Sequence, residues 1–350
     1  MIVTAVLLVI IIIFLIDYLK NNNKHISEVI IATGTTIMLS SFVDLTQLFF
    51  ILLSYLNNEQ INFLEYTKSN IDYKSVILGL VIVIVGLVIK KTKEIDLINI
   101  FTFDDKKPEI KDINNVRENK MDIISLYDEL NRNEGKNVDV FVNEFNRKLK
   151  TYNLEHKNSR NAYTGIASIP LVLYAGTKLK GNDFEVYYEY DKKKEKYEKL
   201  KSFSKCFPLD LEFDEKILQN KTEIVLAFGI TTKIKDTDLV RFKNISKRIY
   251  NIKREEETKD NSIKSISQLR KYTTQIYNIL REIPKEYPKL EKIHLVISAQ
   301  SCLIIELGKL IDDRNLPKII SYQFVFNDKL KYPWGLVING EEAGKYVGKK

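Results

Sequence analysis

The side chains best placed to bind a ligand in this 350-residue chain are hydroxyl and amide groups in two short turns and at one strand end. Thr164 and Ser168 flank the first turn, Ser298, Gln300 and Ser301 form the second, and Thr231 and Lys233 stand at the end of the strand-like run 223–231 and just after it. Groups of these types hydrogen-bond phosphate oxygens and base edges, and Lys331, beside the Tyr332-Pro333-Trp334 run, could pair with a phosphate. Tyr188, Tyr322 and Trp334 offer ring faces on which bases stack, although aromatics on strands more often pack in a core. The chain contains no Walker A loop, GxGxxG fingerprint, HExxH helix or GxSxG elbow. His25, His156 and His294 are scattered, and Cys206 and Cys302 stand in no paired spacing, so neither a zinc site nor a disulfide framework is expected and a reducing compartment fits. These residues describe a binding protein, with no catalytic residue, metal or cofactor expected.

The elements that must hold these groups alternate. Apolar runs bounded by turn residues predict strands at 162–167, 184–190, 223–231, 293–299, 318–326 and 334–338. Apolar residues at spacings of three and four predict helices at 138–149, 169–179, 238–250, 262–283 and 302–311. Such alternation builds parallel α/β sheets. A shift of 132 residues lays Gly165-Ile166-Ala167-Ser168-Ile169-Pro170 over Ile297-Ser298-Ala299-Gln300-Ser301-Cys302, and Gly176 over Gly308. The identities are few, and two unrelated βα units could coincide this well. A true repeat would bring two strand-to-helix turns together about a pseudo-twofold axis, with the N–H groups of two helix N-termini turned toward one site. A ring-shaped, anionic, roughly symmetric ligand suits that arrangement.

The N-terminal quarter follows another pattern. Apolar runs at 2–16 (extendable to Leu19), 29–56 and from about Ile71 or Ser75 to Ile89 approach or exceed the roughly 20 helical residues that span a bilayer core. A cleaved signal peptide fits poorly, because no basic residue precedes the first run and Asp17-Tyr18-Leu19-Lys20 stands where small residues would be cleaved. Three crossings are expected. Lys20 and Lys24, then Lys90, Lys91 and Lys93, place their loops in the cytosol, giving an outside N-terminus and a cytosolic C-terminal domain. Thr33, Thr36, Ser40, Asp44, Gln47 and Ser54 in the second run fall within an arc of about 80°. That face either seals a polar seam in a three-helix bundle or forms a self-association or pore-lining surface. Ser75, Gly79 and Gly86 give the third run the small-residue face along which membrane helices approach. A charged linker is expected over 92–120. The net charge of +8 fits phosphate-bearing ligands, anionic lipid headgroups or a solvated lysine-rich surface.

From about Met121 onward the chain resembles the SAVED family. The resemblance rests on the strand beginning at His294, the Leu307-Gly308 helix, the Ser321-Tyr322 strand and the Tyr332-Pro333-Trp334-Gly335-Leu336 run. The Thr164-to-Pro170 segment and Ala227-Phe228-Gly229-Ile230-Thr231-Thr232 look like the family's first half. The resemblance implies an α/β domain of two fused CARF-like, Rossmann-type halves, at about 121–260 and 261–350, which the apolar runs set behind a transmembrane module at 1–91. It further implies a sensor of a cyclic di-, tri- or tetranucleotide second messenger in bacterial antiphage signalling, with no long nucleic acid as partner. With its apolar N-terminus the arrangement is similar to the membrane-effector type of CBASS system, a multi-pass protein of the bacterial inner membrane. Such an effector would bind its ligand, form a homo-oligomer and disrupt the surrounding lipid. A membrane-anchored cyclic-nucleotide hydrolase and a scaffold recruiting another effector are the alternatives.

Overall fold

The computed structural model describes residues 26–41, 72–93, 95–102, 116–132, 138–156, 159–191, 194–214, 221–253, 261–312 and 315–348. The chain divides into two units, Met1–Glu94 with Ile113–Asn115, and Ile95–Asp112 with Val116–Lys350.

In the first unit α1 (Ile26–Ser40) and α2 (Tyr73–Lys93) pack as an antiparallel pair, Gly34 against Gly79 and Gly86 against Ile31. A Cβ built on Gly34 would lie 2.7 Å from the Gly79 carbonyl oxygen, and one on Gly79 2.7 Å from that of Gly34. Glycine at both positions is what lets the backbones approach this closely. Of the expected polar arc, Thr33 and Thr36 donate to the carbonyls of Val29 and Ala32, and Ser40 to that of Ile37. Hydroxyls turned back in this way are satisfied by the carbonyls of their own helix. Asp44, Gln47, Ser54 and the first apolar run lie outside the described residues. Among the described residues no helix is long and apolar enough to cross a membrane. The 15 residues of α1 span about 22 Å, and the apolar part of α2, 76–89, about 21 Å.

The second unit holds two sheets. The first has the order β2-β1-β3-β4-β5, built from β1 (Ile95–Phe101), β2 (Val116–Asp122), β3 (Asn161–Ile166), β4 (Phe184–Asp191) and β5 (Lys196–Lys199). The second contains β6 (Leu209–Asp214), β7 (Glu223–Gly229), β8 (Ser246–Ile252), β9 (Lys292–Ser298), β10 (Lys318–Gln323), β11 (Trp334–Val337) and β12 (Tyr346–Val347), in the order β12-β11-β10-β9-β7-β8-β6. Four parallel strands closed by an antiparallel fifth occur in each: β2-β1-β3-β4 with β5, and β8-β7-β9-β10 with β11. The helices are α3 (Ile124–Arg132), α4 (Val138–Glu155), α5 (Ile169–Lys178), α6 (Ile266–Glu286) and α7 (Ser301–Leu310). α5 and α7 follow β3 and β9, pack on each other, and cross over: α5 lies on β10 and β11, α7 on β3 and β4.

Three expectations change. The segment 92–120 is not a linker, since it carries β1 and most of β2, with Leu97, Ile98 and Ile100 wholly buried. The boundary at 260 moves to the connection between β5 and β6, because β7, assigned by resemblance to the first half, pairs with β9 as β1 pairs with β3. Finally, the helix expected at 238–250 is two short 3-10 turns followed by β8. Ile245, Ile249 and Ile252 have helical spacing, but strand pairing on both edges, with β7 and β6, overrides that local pattern.

Candidate functional site

β3 and β9 each end in a two-residue turn, Ala167-Ser168 and Ala299-Gln300, that starts a ten-residue helix. A cavity of ≈ 460 Å³ opens where these ends meet, a size usual for small-ligand pockets. Gly165, Ile166, Ala167, Ile169 and Val172 line it from the first half, and Ala299, Gln300, Ser301 and Ile304 from the corresponding stretch of the second. Glu189 and Tyr190 of β4, Glu195 of the β4–β5 turn, Thr231 and Asn261 complete the wall.

The first N–H groups of α5 and α7 need acceptors outside their helices. Each receives one from the opposite half. Ile169 N donates to Gln323 Oε1 of β10 at 3.2 Å, and Cys302 N donates to Glu189 Oε1 of β4 at 2.6 Å. The N-terminus of α5 thus faces a neutral amide and that of α7 a carboxyl, which the helix dipole favours in its ionised form. Burial nevertheless pushes the Glu189 pKa up to about 7, opposed by the hydrogen bonds from Cys302. Burial, then the neighbouring Glu189, drives the Cys302 thiol well above its ordinary range, so it sits in the core as a neutral thiol. At α7 the expected open N-terminus is already partly filled.

Three expected contact residues line the cavity: Thr231, Gln300 and Ser301. Ser298 stands just behind, its Oγ 3.0 Å from Thr231 Oγ1 and accepting the Thr232 N–H. Ser301 Oγ lies 2.5 Å from the Tyr163 hydroxyl, a bond between the halves. Gly165 leaves room for it, since a Cβ there would fall 2.9 Å from that phenol oxygen. The Gln300 amide is engaged at both ends by Ile263, accepting its N–H through Oε1 and donating to its carbonyl through Nε2 at 3.1 Å. Gln300 therefore anchors the strand-like segment that brings Asn261 to the wall.

The other expected contacts do not line the cavity. Thr164 is buried and donates to the Tyr188 carbonyl at 2.7 Å; Ser168 is the buried N-cap of α5, its Oγ without a partner. Tyr188, Tyr322 and Trp334 are buried in the sheets rather than open for stacking. The Tyr322 hydroxyl lies 2.8 Å from His294 Nδ1, and Trp334 Nε1 donates to Asn131 Oδ1 at 2.8 Å. Lys233 pairs with Glu212 at 2.8 Å, and Lys331 Nζ donates to the Phe326 carbonyl at 2.8 Å. Among the described residues no cluster of His, Cys, Asp or Glu is arranged to hold a metal ion.

Residues 143–338, more than half of the chain, match the family model of the SMODS-associated and fused to various effectors sensor domain, SAVED. The chain belongs to the SAVED family. The match begins inside α4 and ends just after β11, so β1 and β2 extend the SAVED sheet on its N-terminal side. Solved structures similar to this SAVED protein include the Acinetobacter baumannii Cap4 SAVED/CARF-domain containing receptor with the cyclic trinucleotide 3'3'3'-cAAA, at 15% identity and a TM-score of 0.47. The same receptor with 2'3'3'-cAAA gives 14% and 0.44, both alignments covering 79% of this chain and 57% of the receptor. The Moraxella osloensis Cap4 receptor gives 14% and 0.41, over 79% of this chain and 56% of that one. This chain thus spans little more than half the length of those receptors. No curated protein sequence matches it.

Sequence reasoning passed over four polar or charged residues of the SAVED cavity wall: Glu189, Tyr190, Glu195 and Asn261. A glutamate in Phe-Glu-Val-Tyr-Tyr-Glu-Tyr-Asp reads as solvent-facing, and nothing local shows that α7 of the other half covers it. The 132-residue shift did carry a signal for one of them, because it lays Tyr190, not Tyr188, under Tyr322. Glu195 and Asn261 take left-handed backbone, φ 51° and 63°, which asparagine tolerates better than most residues but which no glycine announces here.

Proposed function

We propose that this chain is a ligand-gated membrane effector of bacterial antiphage defence. In this reading the SAVED unit, in the cytoplasm, binds a cyclic di-, tri- or tetranucleotide in the cavity between its halves. Binding gathers several copies, and the N-terminal apolar segments then breach the inner membrane. No bond of the ligand is made or broken. One observation carries the sensor part: two strand ends and two helix N-termini from matching halves of a sensor-family domain converge on a single cavity. The membrane part draws on α2, which exposes Ile77, Leu78, Val81, Ile84, Val85 and Val88, a continuous apolar face of a kind that seeks lipid or protein. Lysines at 90, 91 and 93 close that run as they do at a cytosolic membrane boundary. Ligand can drive association only to the extent that it binds the associated state more tightly.

The test is dye release from anionic phospholipid vesicles holding the full chain, titrated with cyclic di-, tri- and tetranucleotides. The cyclic tri-adenylates held by the A. baumannii receptor are the first probes. The expected result is release with the ring recovered intact. A cleaved ring would replace the effector by a hydrolase, binding without release by a scaffold, and no binding by any ring would remove the sensor reading.

A further inference from the structure

We infer that Glu189 is the specificity-determining residue of the cavity, accepting a hydrogen bond from the exocyclic amino group of a ligand base, while the ligand's phosphates keep away from the N-terminus of α7. The inference rests on the sensor reading above and names what that sensor selects.

Its ground is the placement of one carboxyl group. Glu189 lines the cavity and is fixed there by the 2.6 Å bond from Cys302 N, so its acceptor direction is set before a ligand arrives. A phosphate seated on the first turn of α7 would stand beside this carboxyl, with no cation among the described wall residues to offset it. Among the described residues no lysine or arginine lines the cavity, and the second ionisable acid on its wall, Glu195, adds to the repulsion. The titratable groups facing Glu189 from the packed elements are Tyr163 of β3, Tyr197 of β5 and Cys302 of α7. The Tyr163 hydroxyl is already hydrogen-bonded to Ser301 Oγ, and all three have pKa values raised by burial, so none supplies positive charge. The hydrogen bonds to Glu189 both come from Cys302, and a buried carboxylate gains from a ligand that brings a further N–H. Adenine, cytosine and guanine each carry an amino group, whereas uracil presents a carbonyl oxygen where cytosine has its amine. Hypoxanthine does the same in place of adenine, and that oxygen would face the carboxylate directly.

The sign of the pH effect separates the two possible neighbours. An amino donor favours ionised Glu189, so binding releases the proton and tightens as pH rises through 7. A phosphate neighbour favours the protonated form, and binding weakens over the same interval.

The experiment is calorimetric titration of the full chain in detergent with cyclic di-, tri- and tetra-adenylate, the corresponding inosine rings and the uridine rings, at pH 6 and 8. The adenine ring that binds should do so at least about tenfold more tightly than its inosine counterpart, and more tightly at pH 8 than at pH 6. Glu189→Gln keeps an oxygen for the Cys302 N–H and should lose both the preference and the pH slope. Equal binding of adenine and inosine rings, preference for uridine rings, or weaker binding at pH 8 would overturn the assignment. So would a Glu189→Gln protein that keeps the preference. The comparison of rings on the unaltered chain stands even if the variant misfolds. No binding by any ring fails differently, removing the sensor reading together with this inference.

Discussion

Gly176 and Gly308 meet backbone to backbone: a Cβ built on Gly176 would lie 2.8 Å from Gly308 Cα, and one built on Gly308 2.9 Å from Gly176 Cα. Each is the eighth residue of its helix, and each also presses on a carbonyl of the other helix, Gly176 on that of Ile305 and Gly308 on that of Leu173. All four residues obey the same 132-residue shift. The pseudo-twofold axis therefore runs through this crossing, and the cavity lies at the N-terminal ends of the two helices that cross.

Because the opposing atoms are backbone, neither helix can yield without pulling its strand. Gly308→Ala is expected to lower the unfolding free energy by about 1–3 kcal/mol, the usual cost of overpacking, and Gly308→Val to prevent folding. Urea unfolding followed by near-ultraviolet circular dichroism measures both, and an alanine variant as stable as the parent would mean the helices can separate freely.

A chain beginning at Ile95 should be soluble and folded, and one beginning at Met121 should not. The second loses β1, whose Leu97, Ile98 and Ile100 are fully buried between β2 and β3. Expression of the two truncated chains with size-exclusion chromatography checks this, and a monodisperse product starting at Met121 would count against β1 as a core strand.

The same strand shows where the sequence was legible. The 132-residue shift located both βα units because Ile169–Lys178 and Ser301–Leu310 begin and end in step, so the local chemistry of turn, helix and glycine repeats. β1 was lost because its neighbour β2 is an edge strand, Val-Arg-Glu-Asn-Lys-Met-Asp, whose residues, all but Met121 exposed or half-exposed, are indistinguishable by composition from a linker. Tyr322 and Trp334 resembled stacking platforms because sequence gives ring type but not which face of a sheet is covered. Glu189 was invisible for the complementary reason: its burial comes from α7, more than a hundred residues away.

Glu189 should also make the ligand-free protein less stable in base. Its folded pKa of about 7 lies above its ordinary 4.5, so the native state holds the extra proton between those values and stability falls as pH rises across them. Full ionisation corresponds to about 3 kcal/mol. Glu189→Gln should therefore melt higher than the parent at pH 8 and alike at pH 5; thermal scans at both pH values decide it, and equal melting at pH 8 would place the carboxyl in a better-solvated site.

Gln300→Glu should weaken ligand binding by at least about tenfold while the fold survives at a cost of about 1–3 kcal/mol. The change replaces the donor that meets the Ile263 carbonyl by a second oxygen, releasing the segment that holds Asn261 against the cavity. Ser168→Glu differs, because Ser168 is buried outside the cavity wall; it should cost stability first. Paired titrations and melting curves separate the two, and unchanged affinity in a folded Gln300→Glu protein would show that the segment does not need this anchor.

The last prediction concerns the N-terminal helix pair. A side chain at position 79 would collide with the Gly34 carbonyl oxygen at 2.7 Å and the Met38 backbone nitrogen at 2.8 Å, and neither backbone atom can rotate away. Gly79→Leu should therefore force α1 and α2 apart, whereas Ile77→Leu, on the exposed face of α2, should not. If the apolar segments are the effector, the first variant should lose ligand-triggered dye release at unchanged ligand affinity, because the cavity residues all belong to the other unit. The second should release dye like the parent. Release by Gly79→Leu at the parent's rate, measured in the same vesicles and at the same occupancy, would mean that the packed α1–α2 pair takes no part in breaching the membrane.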